Sequence, residues 1–246
     1  MTRIDGSSNP GFARDRRTLV VLQPGYLPWL GFFDQMRRSD VFVYYDDVQF
    51  DKHGWRNRNR IKSPAGPQWL TVPVLHHGQG QPLIMDARID TRSGWPRKHV
   101  GTLRQYYAGA PHVKQYLPVL EELLSRPWTH IADLDIAVAG LMAGWLKLAP
   151  NVVRASQLGI GGDQSERLIN FCVHFGAERY FSGSAARDYL DVGRFERRGI
   201  EVVWQEYQHP VYLQQYEPFV PYLSAIDLLL NCGDDSALIL ENGHLP

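Results

Sequence analysis

The sequence predicts an α/β protein with an open, mostly parallel, Rossmann-like sheet, helices on both faces and a partly helical middle region. Three observations lead to this fold class. Apolar runs at 18–23 and 40–45 flank an amphipathic helical pattern at 27–38, which is typical of a parallel βαβ unit. The stretch 152–204 repeats the order strand, helix, strand, helix, strand. Helical patterns dominate the stretch between them, at about 95–150.

The first elements follow directly from the apolar pattern. The run 18–23 is rich in β-branched residues and ends at a Pro-Gly turn signal, which predicts a buried strand. Apolar residues then recur at three-residue spacing over 27–38, which predicts a helix with Pro28 in its first turn. A second strand is predicted at 40–45. Residues 46–68 are polar and basic, and we predict a long functional loop with short local structure there.

The later elements rest on the same periodicities. A third strand is predicted at 69–75, where Pro73 restricts pairing to a sheet edge. Gly176 is expected to end the predicted helix at 164–175, because glycine readily adopts the left-handed conformation at a helix C-terminus. Predicted helices cover 95–107, 115–124, 131–148, 164–175, 186–198 and 224–231, and predicted strands cover 152–155, 179–182 and 200–204.

Length and composition limit the class of protein. The 246 residues suit one α/β domain at 18–246 behind a flexible N-terminal lead at 1–17, with a helical sub-lobe at about 95–150. The 26 basic residues balance the 26 acidic ones, so the summed field does not attract nucleic acid or anionic membrane. The sequence has no apolar run long enough for a membrane helix. Its N-terminal stretch does not have the apolar region of a secretory signal. Two cysteines without metal-ligand spacing fit reduced thiols and a cytoplasmic location.

Polar chemistry concentrates in two segments, 23–62 and 181–191. The first begins with Gln23, Tyr26 and Trp29 at the carboxyl end of the first strand, where open α/β sheets bind ligands. Helix N-termini at this edge also favour anions. We interpret Gln23 as a binding residue, since a polar side chain that ends a buried strand needs a partner. Tyr26 and Trp29 are binding candidates, with packing of the strand–helix corner as the alternative.

Three polar residues follow the second strand. Asp46 and Asp47 could bind Mg²⁺ or accept hydrogen bonds from ribose or amine groups, and Gln49 stands close by. Adjacent side chains of an extended chain point to opposite sides, so only one carboxylate is expected to face a site. The alternative is a turn with solvated acids.

A basic run comes next, with Lys52 before it. Arginine and asparagine alternate over 55–62. Arginine, here Arg60 above all, offers bidentate donors for phosphate or carboxylate, and Asn57 and Asn59 offer both donors and acceptors. The alternatives are a solvated basic face and a nucleic-acid contact through arginine and aromatic stacking. A patch this short argues against a large nucleic-acid footprint.

The second segment predicts a strand-to-helix anion cradle. It is formed by Ser182, Gly183 and Ser184, with Arg187 and Asp188 in the helix that follows. Its spacing matches neither the Walker A motif nor the GxSxG nucleophile motif, and the chain has no GxGxxG fingerprint after a strand.

Weaker candidates lie elsewhere. Lys98 and His99 begin a predicted helix and could supply a cation or a proton shuttle. His209 and Tyr212 lie in a loop that contains proline. The chain has no HExxH, CxxC or His-Cys cluster, so no transition-metal site is predicted.

Seven motifs stand out along the chain: 23–33 (QPGYLPWLGFF), 46–50 (DDVQF), 57–62 (NRNRIK), 69–73 (WLTVP), 182–184 (SGS), 189–191 (YLD) and 221–229 (PYLSAIDLL). Together they resemble the WbqC-like family, named for a protein of bacterial O-antigen gene clusters. They span residues 20 to 233, nearly the whole chain. The resemblance implies polysaccharide or natural-product biosynthesis, for example attachment of an acyl or aminoacyl group such as glycyl to a small amine or amino sugar.

A more distant likeness is to nucleotidylyltransferases of the HIGH type. The stretches 26–33 and 182–187 take the places of that group's helix start and Ser/Thr-rich loop. This sequence has no histidine between Gln23 and Phe50, so the histidine contacts to a triphosphate are missing. Lys52 and Arg60 could substitute as cations.

These observations leave two main hypotheses. In an enzyme that joins a group to a small amine, Gln23, Asp47 and Asn59 would orient substrates. Developing negative charge would be stabilised by Lys52, Arg60 and Arg187, and the proton would move through His99 or His209. ATP with Mg²⁺ fits this hypothesis, and the cofactor is otherwise open. The alternative is a non-catalytic module that holds a nucleotide, sugar nucleotide, carrier or tRNA acceptor end, and a scaffold is the third interpretation.

Overall fold

A computed structural model of the chain describes residues 16–51, 54–75 and 81–243. Strands and α-helices alternate over much of this length. The strands are β1 (Thr18–Leu22), β2 (Val41–Tyr44), β3 (Arg58–Ser63), β4 (Gly66–Thr71), β5 (Val152–Arg154), β6 (Arg179–Gly183) and β7 (Glu201–Gln205). The α-helices are α1 (Leu30–Arg37), α2 (Trp95–Tyr106), α3 (Val113–Leu124), α4 (Ile131–Trp145), α5 (Gln164–Phe175), α6 (Val192–Glu196), α7 (Ala225–Cys232) and α8 (Ser236–Asn242).

Five of the strands form one parallel sheet in the order β5-β2-β1-β6-β7. The chain therefore runs outward from the central strand β1 on one side and later continues from β6 on the other. In such doubly wound sheets, ligands bind at the carboxyl ends of the strands where the direction reverses. Here that point lies between β1 and β6. The predicted fold class, a mostly parallel Rossmann-like sheet, is confirmed.

Both faces of the sheet are covered. On one face, Leu19 and Val21 of β1 pack with residues of α5 and α6. On the other, Val20 packs with residues of α1, α2, α3, α4 and α7. Alternate side chains of a strand point to opposite faces, so burial of both faces explains why β1 is apolar throughout. Across the described ranges, no helix combines the length and apolar character that crossing a bilayer requires.

The predicted long loop at 46–68 is wrong in its second half. Residues 58–71 form an antiparallel β3–β4 hairpin outside the parallel sheet. Asn59 and Ile61 are buried while Arg58 and Arg60 are partly exposed, which is the two-residue period of a strand. The buried positions include asparagine, so the alternation is hidden from a hydrophobicity pattern. Pro73, predicted within a strand at 69–75, lies beyond the end of β4.

Two helix predictions also change. The first helix begins at Leu30 rather than at 27, because Leu27 has a positive φ of 45° and ends the preceding turn outside the helical region. The predicted helix at 186–198 is a 3-10 turn at Ser184–Asp188 followed by the short α6. The predicted helix stop at Gly176 is confirmed, with a left-handed φ of 60°.

A buried carboxylate anchors the segment 206–224, which precedes α7. The Asp227 carboxylate accepts hydrogen bonds from the Tyr107 hydroxyl (2.6 Å), the Tyr212 hydroxyl (2.8 Å) and the Gln214 side-chain amide (2.9 Å). The Lys62 ammonium in turn donates to Gln214 Oε1 at 3.3 Å. Burial raises the pKa of Asp227, and the hydrogen bonds it accepts oppose that rise. The segment is thereby fixed to the hairpin and to α7.

We expect Asp227→Ala to lower the free energy of unfolding by about 3–5 kcal/mol, because three donors of the anchor would lose their buried acceptor. Urea unfolding measures the change. Asp86→Ala, at an exposed aspartate, is the matched control and should stay within about 0.5 kcal/mol of the parent. Equal effects of the two substitutions would contradict the anchoring role.

Candidate functional site

Three segments of the chain meet at the carboxyl end of β1. The Tyr26 N–H donates to the Arg56 carbonyl at 3.1 Å, and Arg56 Nη1 donates to the Pro24 carbonyl at 3.2 Å. The Ser224 N–H donates to the Arg60 carbonyl at 2.8 Å. Buried backbone groups require such partners. The bonds therefore fasten the turn after β1 to the hairpin, and the hairpin to the segment before α7.

A cavity of about 290 Å³ lies between these segments. Its walls are mainly aromatic and apolar, with two guanidinium groups and two carboxamides among them. Small-molecule sites commonly have this composition, in which a few polar groups fix the ligand's orientation. The cavity lies at the carboxyl end of β1, which is one of the two strands at the reversal point, and β6 contributes no residue to its lining. The lining residues are Leu22, Gln23, Gly25, Tyr26, Pro28, Trp29, Phe32, Trp55, Arg56, Asn59, Arg60 and Tyr222.

Asn59 supports the shape of the turn after β1. Leu27 adopts the left-handed φ of 45°, which costs energy for a residue with a Cβ. Asn59 Nδ2 donates to the Leu27 carbonyl at 2.7 Å, and Asn59 Oδ1 accepts from the Arg60 N–H at 2.8 Å. Asn59, predicted to bind substrate, thus lines the cavity and also holds its wall in place.

Tyr222 forms the opposite rim of the cavity and is also held in an uncommon conformation. Its φ is 59°, and its side chain is 47% exposed. Arg60 Nη2 donates to the Tyr222 carbonyl at 3.3 Å, and the Tyr222 N–H donates to His209 Nε2 at 3.4 Å. Strained backbone of this kind concentrates at functional sites, where neighbouring contacts maintain it.

Two glycines permit close approach at the cavity wall. The Trp29 ring lies across Gly31, where an added Cβ would come within 2.2 Å of a ring carbon. The same ring packs edge-on against Tyr207, with centroids 5.1 Å apart. At Gly25, an added Cβ would come within 2.9 Å of the Trp55 carbonyl. A larger residue at Gly31 would therefore clash with the Trp29 ring, and one at Gly25 would clash with the Trp55 carbonyl.

The charge of the cavity wall is positive. Arg56 and Arg60 line it, whereas no described lining residue is an acid, lysine, histidine or cysteine.

A buried carboxyl interacts electrostatically with Arg56. Asp135 of α4 is fully buried, and neither of its oxygens has a hydrogen-bond partner among the described residues. Burial raises the pKa of Asp135 well above its usual range, and the charge of Arg56 opposes this rise. Burial lowers the pKa of Arg56, which Asp135 opposes.

The two histidines predicted as proton carriers lie behind the wall and do not line the cavity. His99 Nδ1 is hydrogen-bonded to the Tyr26 hydroxyl at 2.9 Å. Burial lowers the pKa of His99 to about 4, against the opposing hydrogen bond to the Thr71 backbone. Burial also lowers the pKa of His209 to about 4. Both imidazoles are neutral at pH 7, and each contacts a tyrosine that does line the cavity.

The acidic pair after β2 lies away from the cavity lining. Asp46 is fully buried and accepts from Arg154 Nε at 2.7 Å and from the Ser156 hydroxyl at 2.8 Å. Asp47 forms an ion pair with Arg167 of α5. These contacts fix the ends of β2 and β5. Neither carboxylate lines the cavity, and a role for either of them in substrate binding stays a prediction.

The segment after β6 also lies outside the cavity lining. The Arg187 guanidinium lies 5.5 Å from the Trp204 ring centroid and 3.6 Å from a carboxylate oxygen of Glu206. The short turn after β6 exposes most of its polar side chains. Ser182 is buried near the end of β6, and Gly183, the last residue of the strand, is partly buried. Exposed residues of this segment are Ser184, Arg187 and Asp188.

The remaining predicted residues have diverse positions. Asn57 Nδ2 donates to the Val72 carbonyl at 2.7 Å, so Asn57 braces the hairpin. Tyr212 belongs to the Asp227 anchor described above. Gln49 and Lys98 are exposed. Lys52 lies outside the described residues.

Sequence reasoning counted Arg56 only as a member of the basic patch and did not name Trp55 or Tyr222 as site residues. Trp55 and Arg56 are the first residues of the basic run, so the composition of that run could have identified them as site residues. Tyr222 lies within the Pro-Tyr-Leu-Ser motif near the end of the chain, far from the other site residues in sequence. Only the fold brings it to the turn after β1, through the bonds of Ser224 and Arg60.

Comparison with known proteins supplies a family. The model of the WbqC-like protein family matches residues 23–239, which include all but one of the residues that line the cavity. The chain is also 32% identical over 222 residues to the uncharacterized protein Rv1507c of Mycobacterium tuberculosis. That alignment covers 89% of this chain and 96% of the relative. No solved structure matches the chain.

We expect Gly31→Ala to displace the Trp29 ring and lower the free energy of unfolding by about 1–3 kcal/mol, because the packed ring cannot yield without strain. The control is Gly140→Ala in α4, where an added Cβ meets nothing within 4 Å. That change should raise stability by about 0.5–1 kcal/mol, since alanine favours the helix. Chemical unfolding of both variants tests the difference. Effects of the same sign would refute the ring contact.

The two buried histidines predict a pH dependence of stability. The unfolded chain binds their protons near pH 6.5 and the folded chain only near pH 4, so the unfolded state holds more protons between these values. Stability should therefore fall as the pH drops through this window, by up to about 1.4 kcal/mol per pH unit for each histidine. Below about pH 4, no further loss comes from these groups.

Urea unfolding between pH 7 and pH 5 measures this slope. His209→Asn should make the slope about half as steep, because His99 still contributes, whereas His174→Asn, at an exposed histidine of α5, should leave it unchanged. An identical slope in the parent and in His209→Asn would show that His209 does not contribute.

Proposed function

We propose that this chain, which belongs to the WbqC-like protein family, binds an activated anionic donor in the cavity beside β1 and transfers its acyl or aminoacyl group to a small amine or amino sugar. One observation carries the proposal. Arg60 lines the cavity, and its buried Nε–H has no acceptor among the described residues. A buried donor without a partner is costly, and a bound anion would supply the missing acceptor.

The surroundings of Arg60 support an anion in this place. Arg56 adds a second guanidinium to the same wall, and the aromatic side chains exclude water and strengthen the attraction. Gln23 also lines the cavity at the end of β1, and its carboxamide makes no hydrogen bond to another described residue. It can therefore orient the carbonyl or the amine of a substrate.

The arrangement fits transfer by charge stabilisation. The amine nitrogen would form the new bond to the acyl carbon while the bond from that carbon to the donor oxygen breaks. The leaving group would depart as an anion beside Arg56 and Arg60, and the amine proton would pass to water. Fixed cations aimed at charge that develops in the transition state make a large contribution in many enzymes.

We expect Arg60→Met to weaken binding of an anionic ligand by about 10- to 100-fold, because a charged hydrogen bond is lost. The ligand panel is ATP with and without Mg²⁺, sugar nucleotides, amino acids and aminoacyl adenylate analogues. At a hundredfold excess over its dissociation constant, a ligand of the folded state adds about 2.7 kcal/mol of stability, which thermal unfolding detects.

The matched control for this experiment is Arg126→Met, at an exposed arginine after α3 that pairs with Glu122. It should bind every ligand like the parent. A parent protein that no anionic ligand stabilises, or an Arg60→Met variant that binds as tightly as Arg126→Met, would defeat the proposal. Release of AMP or phosphate in the presence of an amine then tests for turnover.

A second candidate function is a non-catalytic module that holds the same anionic ligand for a partner enzyme. It is favoured by the lack of an acid, lysine, histidine or cysteine among the described lining residues. Such a module would bind the ligand with the same dependence on Arg60 but would release no leaving group with any amine. The turnover assay therefore separates the two candidates.

A further inference from the structure

The outer face of the β3–β4 hairpin carries tryptophan and arginine side chains in one row. Side chains alternate along β3, so Arg58 and Arg60 share a face while Asn59 points to the core. Arg60 stands opposite Trp69 in the antiparallel register, which places these two on the same face. The ring of Trp55, which precedes β3, lies beside that of Trp69 with centroids 5.1 Å apart.

The two indoles are well exposed. Trp55 is 43% and Trp69 is 40% exposed. The Arg58 guanidinium lies 4.5 Å from the Trp69 ring centroid, and that of Arg60 lies 5.5 Å from the Trp55 centroid. A contiguous exposed aromatic surface marks a place of interaction more often than isolated apolar residues do. Because Trp55 and Arg60 also line the cavity, the row continues the cavity wall onto the surface.

The size of the cavity indicates what this surface meets. Ligand pockets for drug-sized molecules have volumes of roughly 300–1,000 Å³, and about 290 Å³ lies at the lower end. A donor the size of a nucleotide would therefore extend past the mouth. The group that emerges beside Arg60 would meet the Trp55 ring.

We propose that the ligand is a nucleoside phosphate or an acyl derivative of one, with its base stacked on Trp55 and its phosphate inside the cavity at Arg60. This inference rests on the proposed function, and it names the substrate class. Aromatic rings that hold bases next to arginines that hold phosphates are the usual means of binding unpaired nucleotides. Trp69 packs against the Trp55 ring from the side, and Arg58 in turn packs on Trp69. The same chemistry would suit a free nucleotide or the end of an RNA strand.

Calorimetric titration of the full chain tests the inference with four probes: AMP, ribose 5-phosphate, adenosine and the trinucleotide CCA. We expect AMP to bind roughly 5- to 100-fold more tightly than ribose 5-phosphate, which lacks the base. Trp55→Leu should abolish this difference, and Trp69→Leu should reduce it by less. Trp55→Phe should retain most of it, because phenylalanine keeps a stacking surface.

The control variant is Trp145→Leu, which removes a tryptophan that packs on Tyr116 at the end of α4 and does not line the cavity. It should leave the affinity ratio unchanged. A trinucleotide that binds more tightly than AMP, with the same dependence on Trp55, supports the stacking site and assigns the base to an RNA end.

Other outcomes overturn one proposal without the other. Equal affinity for AMP and ribose 5-phosphate, or a difference that survives Trp55→Leu, overturns the stacking site while the anion pocket stands. Binding of adenosine that depends on Trp55, with no binding of ribose 5-phosphate, supports the stacking site and contradicts the proposed function. Failure of all four probes to bind overturns the inference.

Discussion

The candidate site depends on the fastening of three chain segments that are distant in sequence. The turn after β1, the start of the β3–β4 hairpin and the segment before α7 are joined by hydrogen bonds of Tyr26, Arg56, Asn59 and Ser224. Most of these bonds satisfy backbone groups that would otherwise be buried without partners. The same bonds maintain the left-handed backbone of Leu27 and leave a cavity between the segments.

Two buried aspartates stabilise the fold, and two arginines supply the charge of the cavity wall. Asp46 and Asp227 are fully buried and accept several hydrogen bonds each, and they hold the ends of β2 and the segment before α7. Among the described lining residues of the cavity, the charged ones are Arg56 and Arg60. A chain with zero net charge thus presents a cavity whose charged lining residues are all basic among those described, while Asp46 and Asp227 hold other parts of the fold together.

The first polar segment illustrates how far sequence reasoning reaches. Gln23, Tyr26 and Trp29, which follow the apolar run of β1, all line the cavity in the structure. Asn59 and Arg60 of the basic run line it as well, but the secondary structure predicted for that run was wrong. A strand whose buried positions are asparagines has no apolar alternation to reveal it, and its partner β4 became apparent only through pairing.

Sequence alone determined the fold class and the family resemblance, because both follow from local patterns, namely apolar periodicity, turn residues and long motifs. It also pointed to Arg60 and Asn59, whose residue types suit anion binding and hydrogen bonding. The tertiary structure decided which candidates share a site. It brought Tyr222 to the cavity rim and buried Asp46 with Arg154. Its packing also placed His99 and His209 behind the wall as neutral side chains, since burial sets their charge. Contacts between residues far apart in sequence govern burial and partner choice, and no local pattern encodes them.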